Sequence, residues 1–328
     1  MRVVLGIDVG GTTIKAGLFT LAGELIGTCS MKTPKEVADT TFTQITSKLK
    51  DFIAKQQTRL YPQQQDKLNL AAIGLDIPGP VNSQGKVLMI ANANIDIEAF
   101  VESLSLYFRD VPITVLNDAN AAAMGELWQG SAKQYHDFVL LTLGTGVGAG
   151  VVIDGNIVPG FTGAAGEVGH MTLNLQETKV CGCGRTGCLE QYSSATGLVS
   201  LYKKACEKDG TIPCTIEHAS DSKAVFKAFV AGDRSAERAI DEACDYLAQA
   251  MSAVAVIINP EAFVIGGGLG QSFDVFSHRL AASFQKYALA GCKDTKIVPA
   301  LLGNSAGMYG AAYKAMVEAG LGDLLWIR

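Results

Sequence analysis

The sequence predicts an α/β protein made of two similar domains, each a β-meander followed by helices. Two observations support this fold class. Apolar residues alternate with a period of two on both sides of a Gly/Thr turn in "GIDVGGTTIKAGLF" (6–19), and the same arrangement returns in "FVLLTLGTGVGAGVVIDGNIV" (138–158), about 135 residues further on. Such self-similarity is typical of a duplicated unit, and two such domains are expected to offer their Gly/Thr turns to a shared cleft.

The elements of the first half follow from the same periodicities. Strands are predicted where apolar residues alternate or run together, helices where they recur every three or four positions, and turns at Gly, Pro and Asn clusters. In chain order, the sequence predicts strands over 3–9, 14–19 and 24–31, a helix with its apolar face from Phe42 to Ile53, an exposed Gln-rich loop over 56–67, a strand over 70–77 closed by Pro78-Gly79-Pro80, a helix with Phe100 to Phe108 on one face, a strand over 113–116 and an Ala-rich helix over 119–128.

The second half adds a third glycine cluster to the repeated meander. A long helix, with apolar residues from Ile240 to Val254 at helical spacing, leads to "AFVIGGGLG" (262–270), a predicted strand that ends in three glycines. Glycines at the carboxyl end of a strand let the backbone lie close to a flat ligand such as adenine or ribose. An ordinary glycine-rich turn is the alternative.

The composition limits the function classes. The chain has 328 residues, 48% of them hydrophobic, a formal net charge of −5 and no basic block, which argues against nucleic acid or an anionic membrane as the main partner. The sequence shows neither a signal-peptide core nor an apolar run of the ~18 residues that a membrane span needs. We therefore expect a cytoplasmic protein that binds a small neutral or anionic ligand.

The first Gly/Thr turn is a candidate phosphate site, although it matches neither G-x-x-x-x-G-K-[ST] nor G-x-G-x-x-G. The residues that follow it alternate like a strand and do not open a helix, so the turn is predicted to be a hairpin tip. Glycine N–H groups at such a tip can approach an oxyanion closely. Tight turns without a ligand are the alternative.

Asp118, in "TVLNDANAAAMGE", lies where a predicted strand ends and a helix begins. Two roles are open for this residue. It is placed to cap the helix, as aspartate often does at such a position. It is equally placed to act as a general base on a substrate hydroxyl at the floor of a cleft.

A cysteine cluster predicts a metal site. Cys181, Cys183 and Cys188 lie within eight residues with glycines between them, and His170 precedes them by eleven residues. A Cys3His set is typical of tetrahedral structural zinc, with a reduced thiol cluster or a redox centre as the alternative. Glu167 and Glu190 flank the cluster, either as surface charges or as acceptors for sugar hydroxyls.

The chain resembles the ROK family of sugar kinases over nearly its whole length, and within it the bacterial ATP-dependent glucokinases. The motifs that carry the resemblance, in the family's order, are "DVGGTTIK", "LDIPGPV", "LNDANAAAMGE", "LTLGTGVGAG", "GEVGHM", "CGCGRTGCLE" and "VIGGG". The resemblance implies a duplicated ribonuclease-H-like fold of the actin and hexokinase type, with ATP and sugar in an interdomain cleft. The implied domains are a small one, 1–118 plus 305–328, and a large one, 119–304, with a zinc-binding insertion at 167–190.

The resemblance also implies residue roles in the phosphorylation of glucose to glucose 6-phosphate. Asp118 would take the proton of the sugar 6-hydroxyl as it attacks the γ-phosphate of ATP. The sugar would be held by Gly79, Asn94, Asn117, Asp118, Glu167, His170 and Glu190. The phosphates and Mg²⁺ would meet Asp8, Gly10, Gly11, Thr12, Thr13 and Lys15 from one domain and Gly144, Thr145 and Gly146 from the other, with Gly267 and Gly268 near the adenosine. Zinc would bind His170, Cys181, Cys183 and Cys188.

Some choices stay open in the sequence. The stretch Asn94-Ile95-Asp96-Ile97 lacks the aromatic residue of the family's Asn-Leu-x-Trp, so N-acetylmannosamine, fructose, mannose and allose remain alternative substrates. The spacing from His170 to Cys181 is about one residue longer than the family's. The resemblance implies a homodimer, and it leaves ATP and polyphosphate both open as phosphoryl donors.

A sugar-responsive ROK regulator is the alternative from another class. Such regulators carry a helix-turn-helix domain ahead of the kinase-like part, whereas the first strand is predicted here at about Val3. We therefore expect a kinase that binds no nucleic acid.

Overall fold

The computed structural model describes residues 1–34, 40–63, 66–82, 84–87 and 96–322. Its contacts divide the chain into two compact units. The first comprises Met1–Gln134, Gly155–Ala165 and Asn304–Arg328, and the second comprises Tyr135–Asp154 and Gly166–Gly303. In the described segments, none of the helices combines the length with the apolar character that a bilayer span requires.

The secondary structure follows the predicted order of strands and helices. In chain order the elements are β1 (Arg2–Val9), β2 (Thr13–Thr20), β3 (Leu25–Lys32), α1 (Thr41–Leu60), β4 (Asn69–Ile77), α2 (Ile97–Tyr107), β5 (Ile113–Asn117), α3 (Asp118–Gln129), β6 (Phe138–Leu143), β7 (Val147–Ile153), β8 (Asn156–Ile157), α4 (Glu190–Ser193), α5 (Ala195–Asp209), α6 (Ser222–Val230), α7 (Arg234–Ile258), β9 (Ala262–Gly266), α8 (Gly267–Gly270), α9 (Phe273–Tyr287), β10 (Lys296–Pro299) and α10 (Ala306–Glu318), with 3₁₀ turns at Val168–His170, Ala290–Cys292 and Gly303–Ser305.

The first unit is built on a sheet with the strand order β3-β2-β1-β4-β5. Strand β1 is antiparallel to β2 and parallel to β4, which is parallel to β5. Alternation along β1 buries Val3, Leu5 and Ile7 in a core shared with α1 and α2. Its other face carries Gly6 and Asp8, and it is covered by α10. This alternation is what directs Asp8 toward the start of α10.

In the second unit the strands lie in the order β10-β9-β6-β7. This order repeats the arrangement β5-β4-β1-β2 of the first unit. Strand β6 is antiparallel to β7 and parallel to β9, and β9 is parallel to β10. The duplicated α/β unit predicted from the two Gly/Thr meanders is therefore confirmed.

The structure differs from the sequence prediction at one loop. The predicted Gln-rich loop over 56–67 begins too early, because α1 continues to Leu60. Gln56 is buried in the helix, and the side chain of Gln57 donates to the carbonyl of Asp66 at 2.8 Å, so Gln57 fixes the end of the helix to the segment that follows it.

The first unit extends beyond residue 118, the domain boundary that the family resemblance implies. That position is the first residue of α3, which packs closely on α10. A Cβ added at Gly310 would lie 1.6 Å from the carbonyl oxygen of Ala121, so the two helix backbones are in direct contact. Helix α3 consequently groups with the first unit.

Candidate active site

Asp8 lies in the middle of a charged row across the first sheet. In the strand register it faces Lys15 of β2 on one side and Asp76 of β4 on the other. The Nζ atom of Lys15 lies 3.8 Å from Oδ2 of Asp8 and donates a hydrogen bond to the carbonyl of Asn304 at 3.0 Å. The carboxylate predicted for the magnesium side and the cation predicted for the phosphate side are therefore neighbours.

Asp76 is a residue of this row that the sequence alone does not single out. Its side chain is fully buried. Within the described part of the chain, neither of its carboxylate oxygens accepts a hydrogen bond. Burial, and then the charges of Asp8 and Asp118, raise the pKa of Asp76 well above its usual range. Burial also raises the pKa of Asp8, against the opposing effect of Lys15. Two such neighbouring carboxyl groups need a shared proton or a nearby cation.

The first turn of α10 lies directly over these two acids. A Cβ added at Gly307 would lie 2.9 Å from Oδ2 of Asp76 and 3.3 Å from Cγ of Asp8. The absence of a side chain at Gly307 therefore lets the helix start approach the carboxyl groups. The free N–H groups of a first turn favour negative charge, which partly offsets the burial of the acids.

Asn117, and not Asp118, caps helix α3. Its Oδ1 accepts hydrogen bonds from the N–H groups of Ala119 and Asn120 at 3.0 and 3.1 Å. Its Nδ2 donates to the carbonyl of Gly79 and to Oδ1 of Asp118, both at 3.0 Å. The same Oδ1 of Asp118 accepts from the N–H of Ala119 at 2.8 Å. Of the two roles open for Asp118, the cap thus belongs to its neighbour, and Oδ1 of Asp118 is held by two hydrogen bonds.

Three predicted sugar-binding residues of the first unit, Gly79, Asn117 and Asp118, are therefore joined in one hydrogen-bonded group. Asn94, predicted for the same substrate, lies outside the described residues.

The predicted phosphate loop of the first unit is a hairpin tip. The N–H of Gly10 donates to the carbonyl of Thr13 at 3.0 Å. Thr33 fastens the tip from outside, because its hydroxyl donates to the carbonyl of Gly10 at 2.5 Å and its N–H to that of Thr12 at 3.0 Å. Gly11 and Thr12 are exposed at the end of the hairpin, as an anion site requires.

The second hairpin tip, between β6 and β7, is fixed by helix α5. The N–H of Ala195 donates to the carbonyl of Gly144 at 2.8 Å, and the hydroxyl of Thr196 donates to that of Thr145 at 2.9 Å. Gly144 and Thr145 line a cavity of about 370 Å³ together with Gly268. The structure thus brings the predicted phosphate and adenosine segments of the second unit to one cavity.

The four predicted zinc ligands converge. One donor atom from each of His170, Cys181, Cys183 and Cys188 lies within 4.8 Å of the others. The Sγ atoms of Cys183 and Cys188 are 3.6 Å apart, and Nδ1 of His170 is 3.9 Å from Sγ of Cys181. Tetrahedral zinc with Zn–S bonds of about 2.3 Å holds its sulfur ligands roughly 3.8 Å apart. The donor set and its spacing fit zinc.

The three thiols differ in acidity. The backbone N–H of Arg185 lowers the pKa of Cys183 to about 6. Burial raises the pKa of Cys181, and it raises that of Cys188 to about 12. At neutral pH and without a metal ion, one thiolate therefore lies beside two protonated thiols, and a bound cation is needed to ionise all three.

Two glutamates extend this cluster on either side. Oε2 of Glu167 lies 3.9 Å from Nε2 of His170, the ring nitrogen that does not face the thiols. Oε1 of Glu190 accepts a hydrogen bond from Sγ of Cys181 at 3.8 Å, and its Oε2 accepts one from the N–H of Val147 at 3.1 Å. The predicted sugar acceptors Glu167, His170 and Glu190 thus form one row.

Glu190 also lies against the second hairpin tip. A Cβ added at Gly146 would lie 2.2 Å from Oε2 of Glu190, so a side chain at this position would displace the carboxylate of Glu190. The sequence predicts both residues for the site but gives no sign of this contact, because it depends on how the cysteine segment folds back.

The chain is similar to a known protein family, to named proteins and to solved structures. The sequence model of the ROK family matches residues 4–317. A glucokinase of Halalkalibacterium halodurans is 35% identical over 318 residues, which cover 95% of this chain and 94% of the relative. Among solved structures, a ROK family glucokinase from Streptomyces griseus in complex with glucose and AMPPNP is 27% identical, with a TM-score of 0.73 over 96% of this chain and 99% of its own.

A third similarity is to a ROK family transcriptional regulator described as a homologue of the E. coli MLC protein. It is 27% identical, with a TM-score of 0.82 over 99% of this chain and 80% of the regulator. All these matches extend over both compact units.

Proposed function

The chain belongs to the ROK family, and we propose that it transfers the γ-phosphoryl group of ATP to the 6-hydroxyl of glucose. It is an ATP-dependent sugar kinase, with two alike α/β units and the family's motifs in both. The observation that carries the proposal is the Asp118 group. A carboxylate at the start of α3 is oriented through Oδ1 by two donors, next to two further residues suited to bind a polyol.

In the proposed reaction Asp118 accepts the proton of the 6-hydroxyl while the sugar oxygen attacks the γ-phosphorus. The bond between the γ-phosphorus and the bridging oxygen breaks, and ADP leaves with that oxygen. Phosphoryl transfer asks mainly for alignment and charge stabilisation and needs no covalent enzyme intermediate. A positioned general base contributes about 10²- to 10⁴-fold in rate.

The donor side of the proposal uses the charged row and the two hairpin tips. Lys15 would face the phosphates. The tips Gly10–Thr13 and Gly144–Gly146 would bind phosphate oxygens through N–H groups other than those of Gly10 and Gly144, which donate within the turns. Asp8 would hold Mg²⁺ or its waters, since its side chain is 21% exposed whereas that of Asp76 is buried. Carboxylate oxygens suit this cation, which when bound neutralises phosphate charge.

The sugar side of the proposal uses the residues that the family resemblance implies. Gly79, Asn94, Asn117, Glu167, His170 and Glu190 would supply hydrogen-bond partners for the hydroxyl groups. Zinc would be held by Nδ1 of His170 and by the thiolates of Cys181, Cys183 and Cys188, where it would fix the fold of this segment. His170 would then offer Nε2 to a sugar hydroxyl, so that the substrate borders the metal ligands.

A hexose panel tests the substrate. ADP release would be followed in a coupled assay with glucose, mannose, fructose, allose and N-acetylmannosamine, with ATP or polyphosphate as donor. We expect the highest kcat/KM for glucose with ATP. A higher value for another hexose would replace glucose in the proposal, and no turnover with any of them would overturn it.

The similarity to a regulator makes DNA binding the second candidate function. Titration of DNA fragments at low salt distinguishes the two candidates, because phosphate contacts are strongest there. We expect only weak binding without sequence preference. Tight, sequence-specific binding would favour the regulator.

The proposal includes a cytoplasmic homodimer. An enzyme that consumes ATP and keeps three ligand thiols reduced needs a reducing compartment that contains ATP. Light scattering on the purified chain tests the dimer, with twice the 34.5 kDa chain mass as the expected result.

A further inference from the structure

The cavity beside the second hairpin tip has a wall that the proposed function leaves unassigned. Besides Gly144, Thr145 and Gly268, it is lined by Ala195 at the start of α5 and by a segment at the start of α6. That segment, called here the α6 wall, contributes His218, Ser220, Asp221, Ser222 and Lys223. All of these residues belong to the second unit.

The charges in this cavity favour an anion. Helices α5 and α6 both begin at its lining, and each helix start carries a partial positive charge from the helix dipole. Lys223 adds a full positive charge from an exposed side chain. No acidic group in the described parts of the chain lies within ion-pair distance of its Nζ.

The other titratable groups of the wall are engaged locally. The carboxylate of Asp221 caps α6: Oδ1 accepts from the N–H of Ala224 at 3.3 Å, and Oδ2 accepts from that of Glu217 at 3.2 Å. Nδ1 of His218 lies 3.3 Å from the hydroxyl of Ser220. Within this wall, the ammonium of Lys223 is thus the charged group that remains available to bind a ligand.

The position of Lys223 is also unfavourable for α6 itself. It is the second residue of the helix, where the helix dipole repels a cation, whereas Lys227 lies in the last turn, where the dipole attracts one. A bound anion would relieve this repulsion at Lys223. The lysine at the start of the helix is therefore better explained by a ligand than by the stability of the helix.

We propose that Lys223 binds the phosphate chain of the donor nucleotide and that the α6 wall forms one side of the nucleotide site. The inference rests on the proposed kinase function. A nucleoside triphosphate that contacts both Gly144-Thr145 and Gly268 passes along this wall, since one cavity contains all of them.

The test measures binding and does not depend on turnover. Isothermal titration without sugar gives the Kd of MgATP, of inorganic tripolyphosphate and of adenosine for the full chain and for Lys223→Ala, Lys223→Arg and Lys227→Ala. We expect Lys223→Ala to raise the Kd of MgATP and of tripolyphosphate about tenfold, since a charge-assisted contact is lost. Lys223→Arg should stay within about threefold of wild type, and Lys227→Ala should bind like wild type.

Thermal unfolding without nucleotide separates binding from a structural role. Lys223→Ala should leave Tm unchanged or raise it, because a repelled cation is removed, while Lys227→Ala should lower it slightly. A lower Tm together with weaker binding in Lys223→Ala would overturn the inference in favour of a structural role. An equal loss of adenosine affinity would overturn the assignment to the phosphates.

The two proposals fail in different ways. If wild type binds MgATP and phosphorylates a hexose while Lys223→Ala binds MgATP equally well, the inference alone is wrong. If wild type has no affinity for MgATP, the proposed function and the inference both fall.

Discussion

The carboxylate of Glu190 accepts a hydrogen bond from the backbone N–H of Val147 at 3.1 Å. Its other oxygen accepts one from Sγ of Cys181 at 3.8 Å. One side chain therefore connects the cysteine cluster to the second hairpin tip. Any displacement of the cluster moves a group that lies against the proposed phosphate loop, so the metal-binding segment and the loop are mechanically linked within the second unit.

Glu190→Gln tests this link. The amide keeps one acceptor oxygen but presents an N–H₂ group where the second carboxylate oxygen accepts a bond, so one contact is lost. Because Glu190 is proposed to accept a hydrogen bond from a sugar hydroxyl, we also expect the Kd for the sugar to rise about 10- to 100-fold, the size of a hydrogen bond to a charged acceptor. Calorimetry measures it, with Glu207→Gln on the exposed face of α5 as the control. Unchanged sugar affinity would remove Glu190 from the sugar site.

Zinc loading should release protons. Cys183, with a pKa of about 6, is largely ionised at pH 7, whereas the thiols of Cys181 and Cys188 are protonated. Binding of one zinc ion should therefore displace about two protons. Calorimetry of metal-free protein in buffers of different ionisation enthalpy measures this number. Cys188→Ser should reduce both the release and the affinity, and Cys29→Ser should change neither.

Removal of zinc should also weaken sugar binding, because His170 and Glu190 lose the support of the cluster. Chelation with the fold retained, as judged by circular dichroism, should raise the Kd for the sugar roughly 10- to 100-fold. A folded, metal-free protein with the affinity of the loaded one would contradict the proposed place of His170.

Asp118→Asn tests the general base. Asparagine retains Oδ1, which accepts the bonds from Asn117 and Ala119, so the local structure should persist. We expect kcat to fall about 10²- to 10⁴-fold with little change in sugar affinity. The coupled assay and calorimetry give the two values, and Asp51→Asn on the exposed side of α1 is the matched control. Turnover near the wild-type rate would exclude Asp118 as the base.

Asp76→Asn should alter the pH dependence of stability. Since the folded-state pKa of Asp76 is raised, the folded chain retains a proton that the unfolded chain releases above about pH 3.9. The free energy of unfolding therefore falls as pH rises from there through the raised pKa. Asparagine has no proton to lose, so the Tm of Asp76→Asn relative to wild type should increase between pH 5 and pH 8. Thermal scans without Mg²⁺ or nucleotide measure this, and parallel curves would contradict it.

Much of the fold could be predicted because its determinants are local. Period-two alternation decides which residues of β1 and β2 face the core, and glycines decide where each hairpin turns. The Cys3His set could be predicted for the same reason, since its three thiols lie within eight residues. The end of α1 could not be predicted in this way, because burial of Gln56 and the contact of Gln57 with Asp66 extend the helix into a polar stretch.

The closest contacts between residues of the site could not be predicted from the sequence. Asp76 meets Asp8 only because the crossover from β1 to β4 sets the register of two parallel strands. Glu190 meets Val147 although the two residues are 43 positions apart in the sequence. The capping of α3 by Asn117 depends on single hydrogen bonds that neighbouring Asn and Asp residues could each make.

The two sheets share a strand order, yet their equivalent rows carry different chemistry. Where β1 has Asp8 between Lys15 and Asp76, the matching position of β6 is Thr142, which lies between Gly148 and Gly266. The second row has no formal charge, and two of its three members have no side chain. At this row the repeat is thus one of backbone alone, and the charged chemistry of the proposed site belongs to the first of the two similar sheets.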